Sequence, residues 1–177
     1  PASNNGDPIA DYTLTVKQGG ATVNSLTVAG TSQNVVVNTS ETDYTFSVTA
    51  RNKAGSSAPS SDSAPRRGAT APGAPTSVVA TPLDQAISVT FTPGPLNGNR
   101  ASEMTYNYRV NQTGATGQII SGGTIGGLAN GTSYTVNVWG SSSVQGVSPG
   151  PEATSTAAVP FGLPIISLQS IERLDNA

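Results

Sequence analysis

The chain has no cysteine and no histidine, a single tryptophan, a single methionine, and charged residues at only 10% of its 177 positions. Without cysteine there is no disulfide framework, and thiols give no clue to the redox compartment. Without histidine or cysteine there is no Ser-His-Asp or Cys-His nucleophile and no zinc site built on imidazole or thiolate. The eight basic residues are scattered, with Arg66-Arg67 as the one adjacent pair. The net charge of -2 and that scatter argue against nucleic acid as a partner, which needs clustered Lys and Arg. No apolar run approaches the roughly 20 residues that span a bilayer as a helix, so this segment is expected not to insert into a membrane. Runs of Ala, Leu, Glu and Lys at helical spacing are also missing.

What is abundant points one way. Twenty Gly, thirteen Pro and a heavy load of Thr and Ser favour many short strands and turns, so the fold class is all-β. Tyr12, Leu14 and Val16 alternate with polar neighbours, as do Ile87, Val89 and Phe91. Tyr106, Tyr108 and Val110 follow the same rule, and so do Tyr134, Val136 and Val138. Such alternation gives each strand one apolar and one polar face. Gly-, Pro- and Asn-rich clusters such as 93–98 punctuate the strands.

The pattern repeats. Tyr44, Phe46, Val48 and Ala50 correspond to Tyr134, Val136, Val138 and Gly140, displaced by 90 (134 − 44). The turn at Gly55 recurs at Gly146, and Pro75 opens a segment similar to the one that Pro164 opens. A period near 90 residues with strand-like alternation indicates tandem sandwiches and not a solenoid of short repeats.

These residues resemble the fibronectin type III family. Ala74-Pro75 is the Pro-rich start, Phe91 stands where the family usually has Trp, and Tyr106 is the third-strand aromatic. Leu128 precedes Tyr134 by six residues, and Asn52–Ser57 fits the family's turn. In the first repeat Asn38 stands at the Leu position, so Val37 is expected to supply that contact. The resemblance implies tandem seven-stranded antiparallel β-sandwiches of fibronectin type III or immunoglobulin-like kind. It also implies that Tyr44 and Tyr134 are tyrosine corners with hydroxyls bonded to nearby backbone. Tyr12 and Tyr106 are then core aromatics.

Residues 1–6 align with 93–98, and 174–177 with 83–86. The expected organisation is therefore a module at 1–68 lacking its first two strands, a complete module at 69–158, and the first strand of a further module at 159–177. The connectors 64–75 and 159–164 are Pro-rich and expected to be semi-rigid, the first, with its Gly, bending more. An incomplete sandwich exposes an apolar face, and strand exchange with neighbouring copies is one way to cover it.

No catalytic, cofactor-binding or metal-ligating set emerges. Ten acidic residues are dispersed, Gly122–Gly127 is followed by no helix and reads as a turn with a weak edge strand, and Asn4–Asp7 lacks the spacing of a Ca²⁺ loop. No Arg-Gly-Asp occurs, and the three Asn-x-Ser/Thr sequons at Asn38, Asn111 and Asn130 matter only in a eukaryotic secretory host. Strand parity turns Trp139 outward. It is a candidate binding surface for sugar or protein, or else the platform on which Arg109 stacks as a cation–π pair. The reading that results is a non-catalytic spacer or interaction module of a larger secreted or cell-surface protein. An adhesin or carbohydrate-binding segment using the Trp139 face, with a protein or polysaccharide partner, is one alternative. A structural module of an appendage or virion assembly is the other.

Overall fold

A computed structural model describes residues 4–164 and divides the chain into two compact units. Unit 1 comprises Pro1–Ala74, Gly94–Thr105 and Gly140–Pro151, and unit 2 comprises Pro75–Pro93, Tyr106–Trp139 and Glu152–Ala177. The strand expected within the tail lies outside the described residues from position 165 onward. Among the described residues the strand pairings are antiparallel, and the one helical element is a 3₁₀ turn, Ala101–Glu103.

Unit 1 carries strands β1 (Asp11–Gln18), β2 (Ala21–Val28), β3 (Tyr44–Asn52) and β4 (Gly55–Ser56), ordered β2-β1-β3-β4. The alternation seen in sequence sets the register. Leu14 faces Leu26 on one side and Val48 on the other, and Tyr12 faces Val28 and Ala50. On the opposite face the β1–β3 pair Asp11 and Arg51 form an ion pair. Beyond β4 the chain runs along β3 with a serine at every third position. The N–H groups of Ser57, Ser60 and Ser63 donate to the carbonyls of Ala50, Val48 and Phe46. Their hydroxyl oxygens accept the N–H groups of the same three residues at 3.0–3.1 Å. Each hydroxyl also donates to the carbonyl of the residue after it. A three-residue period is that of polyproline II, which makes no backbone bonds of its own. Here the serines satisfy the exposed side of β3, which would otherwise be a bare edge.

The seven remaining strands form two sheets. One has the order β5-β6-β9, with β5 (Thr76–Leu83), β6 (Ala86–Thr92) and β9 (Gly123–Gly126). The other has the order β11-β10-β7-β8, with β7 (Met104–Val110), β8 (Thr116–Gln118), β10 (Val136–Ser142) and β11 (Ala153–Thr154). Between them lies one core in unit 2, built from Ile87, Val89 and Phe91 of β6, Val110, Ile125, Leu128, Tyr134, Val136 and Val138. Five of these, Ile87, Val89, Val110, Val136 and Val138, have no exposed surface. This is a β-sandwich with the expected seven strands.

The sheet of unit 1 repeats one of these sheets. Tyr44 corresponds to Tyr134, so β3 corresponds to β10, and the order β2-β1-β3 matches β8-β7-β10, while the place of β11 beside β10 is taken by the serine run beside β3. Among the described residues unit 1 has no second sheet. The counterpart of β9, around residues 33–36, forms no strand.

The segment 64–75 differs from expectation. Arg66 forms an isolated bridge with Tyr44, the Gly68 carbonyl accepts from Ser40 at 2.7 Å, and Thr70 and Gly73 donate to Asn97 and Pro95. A Cβ on Gly68 would stand 2.2 Å from the Asn38 carbonyl oxygen. The glycine serves close backbone approach, and within unit 1 the segment expected to be semi-rigid is bonded along its length.

Candidate functional site

The outward face of β10, β7 and β11 in unit 2 is built by parity. Val136 and Val138 are buried, so Asn137 and Trp139 face the other way, and Trp139 is half-buried. On β7 Val110 is buried and Arg109 exposed. The Arg109 guanidinium donates to Glu152 Oε2 at 2.8 Å, and Asn137 Nδ2 donates to the same oxygen. Asn137 Oδ1 accepts from Asn111 Nδ2 and from Thr154 Oγ1, both at 3.0 Å. Asn111 Nδ2 also reaches Thr135 Oγ1 at 2.9 Å. The result is a neutral ladder of amides and hydroxyls beside an indole.

Arg109 thus points to a carboxylate. The ring contact found among the described residues is Phe91–Tyr106, with centroids 5.0 Å apart and planes tilted by 52°, and the expected Arg109–Trp139 stack is not among them. An exposed guanidinium gains more from a charge-assisted bond to a carboxylate than from a ring face. Glu152, Asn137 and Thr154 were not singled out by sequence, and Asn111 was noted only as a sequon. Which strands adjoin is a non-local fact.

The remaining predicted residues are structural. Phe91 and Leu128 are buried in the core, with Tyr106 packed against it, and burial raises the Tyr106 hydroxyl pKa. Tyr134 Oη accepts the Ala129 N–H at 3.1 Å, and Tyr44 Oη donates to the Asn38 carbonyl at 3.2 Å. Both have the backbone-bonded geometry of a tyrosine corner. Tyr12 lines an open groove in unit 1.

That groove is the second notable surface. It has a volume of about 300 Å³ and is lined by Tyr12, Leu14, Val28, Val48 and residues 30–33, none of them charged. Val48 is 39% exposed, whereas its counterpart Val138 is fully buried. The difference measures what the missing second sheet leaves uncovered.

Elsewhere charge is used to hold structure. Arg67 has a buried side chain and donates to Asp43 at 3.0 Å and Glu103 at 2.8 Å. Its hydrogen bond holds the Asp43 carboxyl below the usual range, and Arg51 does the same to Asp11. Both shifts favour the charged form, the opposite of what a general acid needs. Among the described residues no three of His, Cys, Asp or Glu gather as metal ligands, and no helix is long and apolar enough to cross a membrane.

The chain is similar in structure to tandem fibronectin type III domains. The FN1–FN3 domains of chicken CNTN1 match 89% of this chain at 19% identity with a TM-score of 0.43, and the chain spans 58% of that fragment. A two-domain fibronectin type III segment of chicken tenascin matches 87% of it at 19% identity with a TM-score of 0.40, and 85% of that segment is covered. No family model matches, and no curated protein matches.

Proposed function

We propose that the chain is a non-catalytic spacer and interaction segment of a larger secreted or cell-surface protein. Its modules are read at 1–68, 69–158 and 159–177. The observation that carries this reading is the closed apolar core of unit 2 between its two sheets. Within unit 1 the segment 64–74 is likewise fastened, by backbone bonds with Tyr44, Ser40, Asn97 and Pro95. The buried Arg67 ion pairs add to that fastening. The lack of His and Cys and the commitment of Asp11, Asp43, Glu103 and Glu152 to arginine partners support the absence of catalysis.

Limited trypsin digestion tests it. Cleavage needs an extended, accessible backbone, so Arg66 and Arg67 are expected to be cut no faster than the strand-borne Arg109. Rapid first cleavage at Arg66 or Arg67 would show a free hinge and sink the spacer reading.

One observation favours a second reading, a carbohydrate-binding segment. The Asn111–Asn137–Glu152 ladder beside Trp139 offers in-plane hydrogen bonds next to an apolar ring, the combination that suits a polyhydroxylated ligand. Pull-down on insoluble neutral polysaccharides checks this. Retention lost in Trp139→Ala supports it, and no retention of the parent chain removes it.

A further inference from the structure

We infer that the Trp139 face of unit 2 takes a neutral pyranose chain and reads a vicinal pair of equatorial hydroxyls with the Arg109–Glu152 ion pair. The inference rests on the carbohydrate-binding reading above and names the ligand class and the groups that recognise it.

The repeat supplies the comparison. Asn137 and Trp139 of β10 correspond to Ser47 and Thr49 of β3, displaced by 90 (137 − 47). On β1, Thr15 faces Ser47 and Thr13 faces Thr49. The same face of the corresponding sheet in unit 1 thus carries small hydroxyls at these four positions, with no amide, indole or charge. Ser and Thr are enough for a solvated strand face, so the fold alone does not call for what unit 2 has there. Val138 pairs with Ala153, which sets Trp139 beside Glu152 across β10 and the start of β11. Glu152 Oε2 accepts from Arg109 at 2.8 Å and from Asn137 at 2.5 Å. Asn137 Oδ1 is itself taken by Asn111 and Thr154. Asn137 therefore positions the carboxylate, and the groups left open to a ligand are those of the ion pair.

Those groups define the ligand. The Arg109 and Glu152 side chains are 44% and 36% exposed. Arg109 spends one N–H on Glu152, and among the described residues Glu152 Oε1 accepts no hydrogen bond. A fork of donors beside one open acceptor matches two adjacent hydroxyls, one oxygen accepting from the guanidinium and the other hydroxyl donating to the carboxylate. When both hydroxyls are equatorial, the flat sides of the sugar ring present C–H groups, which stack on an indole such as Trp139. The carboxylate and the net charge of -2 disfavour uronic or sulfated chains. A β-linked glucan such as cellulose meets all three demands: apolar ring sides, equatorial hydroxyl pairs and no charge.

The test uses the full chain, in which the sole tryptophan is its own reporter. Titration with cellohexaose is expected to give a saturable change in Trp139 fluorescence. Mannohexaose, with the same linkage, turns one hydroxyl of each pair axial and is expected to bind about fivefold more weakly, one hydrogen bond being lost. Arg109→Ala and Glu152→Ala change exposed side chains, so circular dichroism should be unchanged. Each is expected to weaken cellohexaose binding about tenfold, the loss of a bond to a charged group. Thr49→Ala, at the matching position of unit 1, is expected to leave binding as it is. Equal affinity for the two oligosaccharides, or full affinity in both Arg109→Ala and Glu152→Ala, overturns the inference and leaves the carbohydrate reading standing. Tighter binding of an oligogalacturonate than of cellohexaose overturns it in favour of an acidic chain held by Arg109. Retention on insoluble cellulose without a fluorescence response overturns it by placing the ligand away from Trp139. No response to any of the three, with no retention on insoluble polysaccharide, overturns the inference and the carbohydrate reading together, and turns this face over to a protein partner.

Discussion

Val48 and Val138 occupy the same position in corresponding strands, so truncating each to alanine compares a complete core with an incomplete one. Val138 has no exposed surface and sits among Val89, Val110 and Val136. Removing two buried methyl groups forfeits about 2–3 kcal/mol, counting transfer and the cavity left behind. Trp139 is the only tryptophan and lies in unit 2, so its fluorescence follows unfolding there. With a urea slope of about 1–1.5 kcal/mol/M for a domain of this size, Val138→Ala should lower the midpoint by about 2 M. Val48 is 39% exposed and contributes correspondingly less, about 1 kcal/mol or below. Val48→Ala should leave the Trp139 transition in place and speed amide exchange in β1 by no more than about fivefold, the factor equivalent to 1 kcal/mol, at submicromolar concentration. Equal effects from the two substitutions, or a shift below about 0.5 M for Val138→Ala, would refute the claim that only unit 2 has a closed core.

Gly98 and Gly6 share φ = +87°, but a Cβ meets the Gly68 carbonyl oxygen at 2.3 Å at Gly98 and nothing within 4 Å at Gly6. In thermal melts Gly98→Ala should destabilise by about 2–4 kcal/mol, through strain plus a backbone clash, and Gly6→Ala by about 1 kcal/mol, through strain alone. Tyr134→Phe removes the acceptor of the Ala129 N–H and should cost about 1–2 kcal/mol in urea unfolding, since that N–H loses its partner. The folded pKa of Asp43 is depressed by Arg67, so its contribution is fully present above the ordinary value of 3.8 and is lost as pH falls through the folded value. The stability gap between parent and Asp43→Asn, measured by urea unfolding from pH 7 to pH 2, should close below pH 3.8. A gap constant down to pH 2 contradicts the assignment.

Much of this was legible in the sequence where one local rule sufficed. Alternation marks β1, β3, β6, β7 and β10, because each has one face against apolar side chains. The displacement of 90 between Tyr44 and Tyr134 exposed the repeated sheet. Parity against the buried Val138 sets Trp139 on the other face of β10, where it is half-buried. The short elements β4, β8 and β11 were not legible, since two or three residues carry no period. The serine ladder at 57, 60 and 63 has a period of three, which a search for alternation passes over. The ion pairs of Arg67 and Arg109 were not legible, and Arg109 was assigned to the Trp139 ring instead, because Asp43, Glu103 and Glu152 come from distant stretches of chain. For the segment 64–75 composition gave only semi-rigidity, because Gly and Pro content speaks to the isolated chain and says nothing of the Ser40, Tyr44, Asn97 and Pro95 backbone groups that bind it.

That pinned segment bears on how such chains are rearranged and re-engineered. Exchanging 64–75 for a Gly-Ser tether of equal length would strand the amide of Ser40 and the carbonyls of Asn97 and Pro95, all now bonded to it. Bulkier residues at 68 or 98 would collide with backbone. A recombinant shuffle that cuts within 64–74 would therefore part this segment from the turns that bind it. The piece to keep together in unit 1 is the segment with the turns at 38–40 and 94–99.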